Sequence, residues 1–355
     1  MRKPGKYSLN NLARAIAVLM SSLLVASCDY KQPVHKSQFL AFGTVMDLTL
    51  IGLEKDKAER VVEIIEEDFA AMHEMWHAWE PGPLGRVNKL IAENQTFSAP
   101  PSVLPLIQAS QELSEKSDYL FNPAIGHLIN LWGFQDDQPS CKKPPESTEI
   151  EDLVLANPQV SDISIDGFQV SSKNDKVKLD FGAIGKGYGI DMAIKRLREL
   201  KVENAVINAG GDIRAIGSRD GHPWRIAIRG ASGSGIAGLV PVKGDESIFT
   251  SGNYERNFTW QGKIYHHIID PRTGWPAEGS ASITVLHPDA TTADAAATAL
   301  FVAGPDEWHA VAKKMGIRFV MLIDTEGTIH MNPAMAERVQ LQSKAQTIKI
   351  SEPLF

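Results

Sequence analysis

The sequence predicts a fold that combines long helices with hairpin-connected strands. Three stretches carry this prediction. Residues 55–79 place apolar side chains three and four positions apart, which is the spacing of one face of a helix. Residues 161–181 and 258–269 contain short runs of β-forming residues separated by turns, such as Asp166-Gly167 and Gln261-Gly262. A chain of 355 residues is long enough for one large domain or two ordinary ones.

The remaining elements follow from the same periodicities, applied along the chain. The predicted strands cover residues 39–51, 205–207, 224–229, 239–242, 247–250 and 282–286, and a second hairpin covers 317–330. The predicted helices cover residues 102–116, 148–156, 190–200, 291–302 and 305–315. We expect residues 28–38 to form a tether, 39–333 to form the folded domain and 334–355 to form a polar C-terminal tail.

The net charge argues against one class of partner. It is −7 at pH 7, and an acidic protein repels the phosphate backbone of nucleic acid. We therefore expect no nucleic-acid partner. Composition alone does not exclude a local basic patch.

The first 27 residues resemble a lipoprotein signal peptide. Basic residues precede an apolar run from Ala15 to Ala26, which is shorter than the ~20 residues of a membrane-spanning helix. The run ends in Leu24-Val25-Ala26-Ser27-Cys28, which resembles a bacterial lipobox. This implies cleavage before Cys28 and a lipid anchor, palmitate included, on its thiol. Asp29 resembles a signal for retention at the inner membrane, with the protein facing the periplasm, and an ordinary secretory signal is the alternative.

The second cysteine, Cys141, has no partner once Cys28 carries lipid, because the chain has two cysteines in all. Export implies an oxidising compartment, yet no disulfide within the chain can form. We therefore expect core burial alone to hold the fold.

One motif in the first helix indicates a different chemistry. The run His73-Glu74-Met75-Trp76-His77 matches H-E-x-x-H, in which two histidines one helical turn apart bind zinc and the glutamate acts as a base. A zinc protease using His73 and His77 is therefore an alternative function. The extended motif needs glycine and histidine where the chain has Glu80 and Pro83, and two histidines that pack beside an apolar stripe are the simpler interpretation.

A carboxylate and a hydroxyl near the start of a later helix suit a hard cation. Asp294 and Thr298 are four residues apart, so they lie on one helical face, one turn apart. Mg²⁺ takes oxygen ligands and commonly shares them with phosphate. The spacing also fits a capped helix whose polar residues are merely solvated.

A glycine-rich stretch, Asp180 to Gly189, lies between a predicted strand and a predicted helix. Glycines let the backbone approach an anion, and a helix N-terminus presents free N–H groups to it. Lys186 adds a positive charge suited to phosphate. The spacing fits neither the P-loop nor G-x-G-x-x-G, and a tight turn is the alternative. Ser251 opens a second small-residue loop, which could line a ligand or form a plain turn.

Several motifs occur in the order seen in the ApbE family, the FAD:protein FMN transferases, which the chain resembles from about residue 39 to 330. They are Phe42 to Met46, Asn122 to Gly126, Leu179 to Gly189, Asn208 to Asp212, Thr250 to Tyr254, His267 to Gly274 and Thr291 to Thr298. The resemblance implies an α+β fold that is ApbE-like and related to the T-fold, with mixed antiparallel sheets, flanking helices and a flavin cleft between them. It assigns residues 39–333 to a flavin transferase domain.

The resemblance also implies an activity. Family members take FMN from FAD and attach it through a phosphoester bond to a threonine or serine of a partner protein, and AMP is released. The partners are membrane redox proteins with soluble domains outside the cytoplasm. We therefore expect Mg²⁺-dependent FMN transfer from FAD to an acceptor redox protein. A FAD pyrophosphatase and a non-catalytic FAD-binding lipoprotein are the alternatives.

The resemblance assigns roles to residues. Asp294, Thr298 and the backbone carbonyl of Ala183 would hold Mg²⁺, and Lys186 would lie near the phosphates. His267 would assist the attacking hydroxyl, although His266 beside it leaves open which imidazole acts, and either Asp180 or Asp270 would orient the ring. The residues expected to contact FAD are Met46, Trp79, Asp180, Ala183, Lys186, Gly210, Gly211, Asp212, Ser251, His267 and Asp270. Trp79 stands where many family members have tyrosine.

Overall fold

The computed structural model describes residues 32–136, 139, 141–231, 233–242, 244–342 and 347–355. The predicted signal peptide, the lipidation site Cys28 and the first residues of the tether lie outside these ranges. Within them, no helix is both long enough and apolar enough to cross a membrane.

The described part of the chain contains seventeen strands and eight α-helices. The strands are β1 (Val34–Ala41), β2 (Thr44–Ile51), β3 (Phe97–Ser98), β4 (Ile163–Asp166), β5 (Gln169–Ser172), β6 (Asn204–Ala209), β7 (Asp212–Ile216), β8 (Trp224–Arg229), β9 (Ile236–Val242), β10 (Glu246–Gly252), β11 (Asn257–Trp260), β12 (Lys263–His266), β13 (Ser280–His287), β14 (Phe319–Asp324), β15 (Ile329–Met331), β16 (Gln340–Leu341) and β17 (Ile348–Ile350). The helices are α1 (Lys55–Trp76), α2 (Pro83–Ala92), α3 (Leu104–Lys116), α4 (Gly126–Leu131), α5 (Ser147–Ala156), α6 (Gly185–Glu199), α7 (Ala290–Lys314) and α8 (Pro333–Arg338).

A nine-stranded sheet organises the molecule, in the order β1-β2-β6-β7-β10-β13-β14-β15-β17. Its strands pair antiparallel except for β15 and β17, which run parallel. Smaller sheets join β16-β9-β8, β3-β5-β4 and β11-β12. This arrangement agrees with the expectation of mixed, mainly antiparallel sheets with flanking helices.

Both faces of the large sheet are covered, and β14 shows how. Val320 and Leu322 belong to the main apolar core, whereas Met321 and Ile323 belong to a second core beneath β8 and β9. Successive side chains of a strand point to opposite faces, so a continuous apolar run indicates burial on both sides.

Three helices cover one face of this sheet. α7 packs on β10 and β13, and α6 lies between α7 and α1. α7 is rich in buried alanines, such as Ala293, Ala296 and Ala299, whose small side chains let the helix approach the strands closely. It runs through both helices predicted at 291–302 and 305–315, with a kink at Gly304, where φ is 68° and Pro305 follows.

The strand predicted over residues 39–51 is wrong, because these residues belong to a hairpin. Phe42 and Gly43 have φ values of 52° and 69°, so the chain reverses there and Ala41 pairs with Thr44. Gly43 was the signal for this turn. β1 begins at Val34 and pairs with β2 along its whole length, so residues 34–38 of the expected tether are part of the sheet.

Other boundaries also differ. Residues 177–181, at the end of the predicted meander, form a single bridge, Ile125 to Lys178, and no full strand. Asn88 binds the backbone N–H and carbonyl of Leu179 with the two ends of its amide. The polar tail expected from residue 334 contributes β16 and β17 to two sheets, and Leu354 within it is buried.

Candidate active site

Two adjoining cavities lie beside the first turn of α6. The larger has a volume of about 810 Å³ and the smaller about 110 Å³. Cavities of several hundred Å³ are the usual size of small-molecule sites. The residues that line both cavities are Asp180, Gly182, Lys186, Glu255, Arg256 and His267.

Most of the residues predicted from the sequence to form a site line these cavities. Those in the larger cavity are Trp79, Asp180, Lys186, Gly210 and His267. Those in the smaller cavity are Asp180, Ala183, Lys186, Asp212, Ser251, His267, Asp294 and Thr298. The fold thus brings together six segments that are far apart in sequence.

Three residues predicted to contact FAD line neither cavity. The side chain of Met46 is fully buried in the core, because it points inward from β2. Gly211 lies behind Gly210, where its N–H donates to Asn208 at 2.8 Å. Asp270 faces another groove and accepts hydrogen bonds from the guanidinium of Arg272, at 2.8 to 3.1 Å. The structure therefore does not bring the side chains of Met46 and Asp270 to either cavity.

The glycine-rich stretch forms a turn that leads directly into α6. The N–H of Gly182 donates to the carboxylate of Asp180 at 2.7 Å, and the N–H of Gly185 donates to the carbonyl of Phe181. Lys186 therefore lies in the first helical turn and not in a loop before the helix. The predicted helix start at residue 190 is too late, because Gly187 and Gly189 are helical as well.

Lys186 forms a salt bridge with Asp212 at the start of β7. The other oxygen of Asp212 accepts from the N–H of Thr250 at 2.9 Å. Burial alone would lower the pKa of Lys186, but the carboxylates of Asp212 and Asp294 raise it above its ordinary value. A fixed ammonium charge therefore lies at the boundary of the two cavities.

Gly187 brings α6 into contact with α7. A Cβ atom on Gly187 would lie 2.8 Å from the Cβ of Asp294, and closer still to the carbonyl oxygen of Ala290. Its N–H donates to Asp294 at 2.9 Å. Glycine at this position is thus required by the packing of two helices, whereas Gly182 and Gly185 line the larger cavity.

Asp294 is a buried carboxylate whose negative charge is only partly balanced by the nearby ammonium of Lys186. Burial raises its pKa to about 7, and Asp212 and Glu255 add to the rise, while Lys186 opposes it. Ala183 and Thr298 line the same small cavity. One carboxylate, one hydroxyl and one carbonyl oxygen form a donor set that suits Mg²⁺, so the residues present fit the predicted ion.

His266 has a structural role. Its Nε2 donates to the carbonyl of Ala277 at 2.9 Å and its Nδ1 accepts from the N–H of Ile268 at 3.3 Å, which fixes a neutral ring in one tautomer. The ring packs edge-on against Phe301. Burial lowers the pKa of His266 to about 4.

His267, in contrast, lines both cavities. Its Nδ1 is buried and has no hydrogen-bond partner among the described residues. Burial, together with the charges of Arg256, His266 and Lys186, holds the pKa of His267 well below its usual range. The ring is therefore neutral near pH 7. Asp270 does not orient it, because that carboxylate is bound to Arg272.

Three charged residues of the site were not among those predicted from the sequence. Glu255 and Arg256 line both cavities, and Arg229 lines the larger one. Glu255 and Arg256 follow Ser251 in a loop that was identified, so their neighbourhood was a usable signal. Arg229 ends β8 and reaches back to the carbonyl of Gly210 at 2.9 Å, and no local pattern marks it.

The structure does not support the zinc-protease interpretation. α1 ends at Trp76, and His77 has extended backbone angles, so the two histidines are not on successive turns of one helix. The Nδ1 atoms of His73 and His77 accept from the N–H groups of Phe42 and Trp79, both at 3.3 Å. Across the described ranges, no cluster of three or more His, Cys, Asp or Glu side chains could hold a metal.

Comparison with known proteins settles the family. Residues 42–321 match the model of the ApbE family. The chain belongs to the ApbE family. It is 38% identical over 312 residues to a Rhodobacter capsulatus protein named FAD:protein FMN transferase, covering 87% of this chain and 59% of that relative's length. It is 28% identical over 329 residues to a protein of the same name from Haemophilus influenzae, covering 90% and 94% of the two chains.

Solved ApbE structures share the fold. The ApbE protein of Thermotoga maritima superposes with a TM-score of 0.79 at 30% identity, covering 86% of this chain and 99% of that one. The apo form of the Pseudomonas stutzeri flavinyl transferase ApbE gives a TM-score of 0.75 at 28% identity, covering 87% and 98%. The predicted family and the predicted ApbE-like α+β fold are both confirmed.

Replacing His266 with glutamine in this ApbE-family protein tests its structural role. Between pH 6.5 and 4 the unfolded chain binds a proton at His266 and the folded chain does not, so stability falls as the pH falls through this window. We expect the His266→Gln variant to be less stable at pH 7, and to lose less further stability on acidification than the wild type does. Urea unfolding at several pH values measures this, and an unchanged pH dependence would contradict it.

Proposed function

We propose that this protein is a Mg²⁺-dependent FAD:protein FMN transferase that attaches FMN to a threonine or serine of an acceptor redox protein. The names carried by its relatives support the reaction class. One observation in the site supports the proposed mechanism. A neutral histidine, His267, faces the same small cavity as the oxygen donors of Ala183, Asp294 and Thr298.

The larger cavity is where FAD would bind. Lys186, Arg229 and Arg256 supply positive charge to its wall, and such groups pair well with phosphate oxygens. The first turn of α6 adds the partial positive charge of a helix N-terminus beside Gly182 and Gly185. The ring of Trp79 offers an aromatic surface for one of the two ring systems of FAD, and Lys178 lies 3.9 Å from its centroid.

The reaction exchanges one phosphorus–oxygen bond for another. The hydroxyl oxygen of the acceptor attacks the phosphorus on the FMN side of the pyrophosphate, and a new phosphoester bond forms. The bond from that phosphorus to the bridging oxygen breaks, and AMP leaves with the electron pair. The hydroxyl proton passes to the ring of His267, whose neutral state suits a general base. Positioning and charge neutralisation do most of the remaining work.

Asp294, the hydroxyl of Thr298 and the carbonyl of Ala183 would hold Mg²⁺ at the small cavity. When bound, the ion would neutralise phosphate charge and stabilise the leaving AMP. The ammonium group of Lys186 is held in a salt bridge with Asp212. A fixed positive charge of the protein would therefore lie beside the position proposed for the metal.

Incubation of the purified protein with FAD, Mg²⁺ and a threonine-bearing flavoprotein domain of a membrane redox subunit tests the proposal. We expect a fluorescent, covalently labelled acceptor and one AMP per label, both abolished by EDTA. The His267→Ala variant should lose about 10²–10⁴ in transfer rate, because it lacks the general base, and should still bind FAD. The His266→Gln variant is the matched control and should retain transfer below its unfolding temperature.

Two outcomes of this experiment would contradict the proposal. AMP release without labelled acceptor would identify a FAD pyrophosphatase. FAD binding without Mg²⁺-dependent AMP release would identify a non-catalytic flavin-binding lipoprotein.

We also propose that the mature protein is anchored to the inner membrane by lipid on Cys28 and faces the periplasm. The lipobox-like run before Cys28 and the following Asp29 support this. Metabolic labelling with an alkyne palmitate analogue should mark the wild type and not the Cys28→Ser variant, which should also leave the membrane fraction. Equal labelling of both forms would contradict the anchor.

A further inference from the structure

A carboxylate outside both cavities binds the first turn of α7. Asp191, on α6, accepts a hydrogen bond from the N–H of Ala290 at 2.9 Å with one oxygen. Its other oxygen accepts from the N–H of Thr291 at 2.8 Å and from the Thr291 hydroxyl at 2.5 Å. Asp289, the N-cap residue of α7, accepts from the N–H of Thr292. The N–H groups that begin a helix have no partner within it, and here a side chain of another helix satisfies two of them.

Asp191 is itself held from behind by a buried guanidinium. Arg214 on β7 forms a salt bridge with Asp191, and the Arg214 side chain is only 9% exposed. Two further Arg214 donors, Nε and Nη2, bind Asp245 at 3.0 and 2.9 Å. Since a buried charge is costly unless paired, this network fixes the direction of the Asp191 carboxylate.

The same elements are linked a second time at the site. On β7, Asp212 and Arg214 are two residues apart, and they reach Lys186 and Asp191 on α6. α7 is then tied to α6 at its first turn by Asp191, and one turn later by the hydrogen bond from Gly187 to Asp294. A shift of the first turn of α7 would therefore carry Asp294 with it.

We propose that Asp191 is a positioning residue for the cation site. By holding the start of α7 against α6, it sets the place of Asp294 and Thr298 relative to Lys186, and thereby the affinity for a divalent cation. The inference rests on the proposed function for the identity of the cation and of the reaction. Residues that hold metal ligands in place without touching the metal typically change its affinity by about 10- to 100-fold when removed.

Mn²⁺ binding to the full-length protein, followed by electron paramagnetic resonance with and without FAD, tests this role. We expect Asp191→Ala to weaken Mn²⁺ binding by about tenfold or more. The Mg²⁺ concentration for half-maximal FMN transfer should rise by a similar factor, and the KM for FAD should change much less. Asp191→Asn, which keeps the shape and one acceptor oxygen, should restore part of the affinity.

Asp245→Ala is the matched control. It also removes a carboxylate partner of Arg214, but the other ion-pair partner of Asp245 is Arg198, which lies on α6 and not on α7. Arg214 keeps its salt bridge with Asp191 in this variant, so the variant should have a lower Tm and should lose much less Mn²⁺ affinity than Asp191→Ala. Equal loss of affinity in Asp191→Ala and Asp245→Ala, or no loss in Asp191→Ala, would overturn the inference.

Two further outcomes are decisive. If Asp191→Ala does not fold, Thr291→Val replaces it, because this change removes one hydrogen bond to Asp191 and leaves the Arg214 salt bridge intact. It should weaken Mn²⁺ binding measurably, and wild-type affinity would overturn the inference. If the wild-type protein binds Mn²⁺ but transfers no FMN, the proposed function is refuted and the role of Asp191 is not. The Mn²⁺ affinities of the variants would still test that role.

Discussion

The close contact of α6 with α7 at Gly187 is the constraint on which the candidate site depends. The absence of a side chain there lets the backbone of α6 reach Ala290 and Asp294. Lys186, the preceding residue, then faces the cavities while Asp294 enters the smaller of them. A larger residue at Gly187 would push the two helices apart, which would separate the fixed ammonium from the buried carboxylate. Overpacked contacts of this kind cost about 1–3 kcal/mol of stability. A substitution at Gly187 would therefore disturb both the packing of the two helices and the position of Asp294 relative to Lys186.

The site keeps its charges close together at a cost in stability. Asp294 is buried at 5% exposure, and its main hydrogen bond comes from one backbone N–H. Its pKa rises to about 7 because the positive charge of Lys186 offsets only part of the effect of burial. A bound cation would supply the missing charge, and proteins commonly accept such local destabilisation at functional positions. His267 also carries a buried polar atom at a cost in stability, because its Nδ1 lacks a hydrogen-bond partner among the described residues.

The sequence predicted the loops of the site better than the direction of their side chains. Motif order located the segments around Lys186, His267 and Asp294, because each lies at the end of a recognisable strand or helix. The choice between His266 and His267 needed the structure, since neighbouring residues at the end of a strand face opposite sides. The pairing of Asp270 with Arg272 depends on a turn whose geometry the sequence does not specify. Arg229 joins the site because the end of β8 lies beside the turn at Gly210, a long-range contact that no local periodicity predicts.

We infer that the contact of α6 with α7 builds a divalent-cation site beside His267. Anomalous diffraction from crystals of the protein soaked with Mn²⁺ and FAD measures this most directly. We expect a manganese peak within bonding distance of the Asp294 carboxylate, the Thr298 hydroxyl and the Ala183 carbonyl, in contact with the pyrophosphate of FAD. A peak between His73 and His77, or clear density for FAD with no manganese at Asp294, would contradict it.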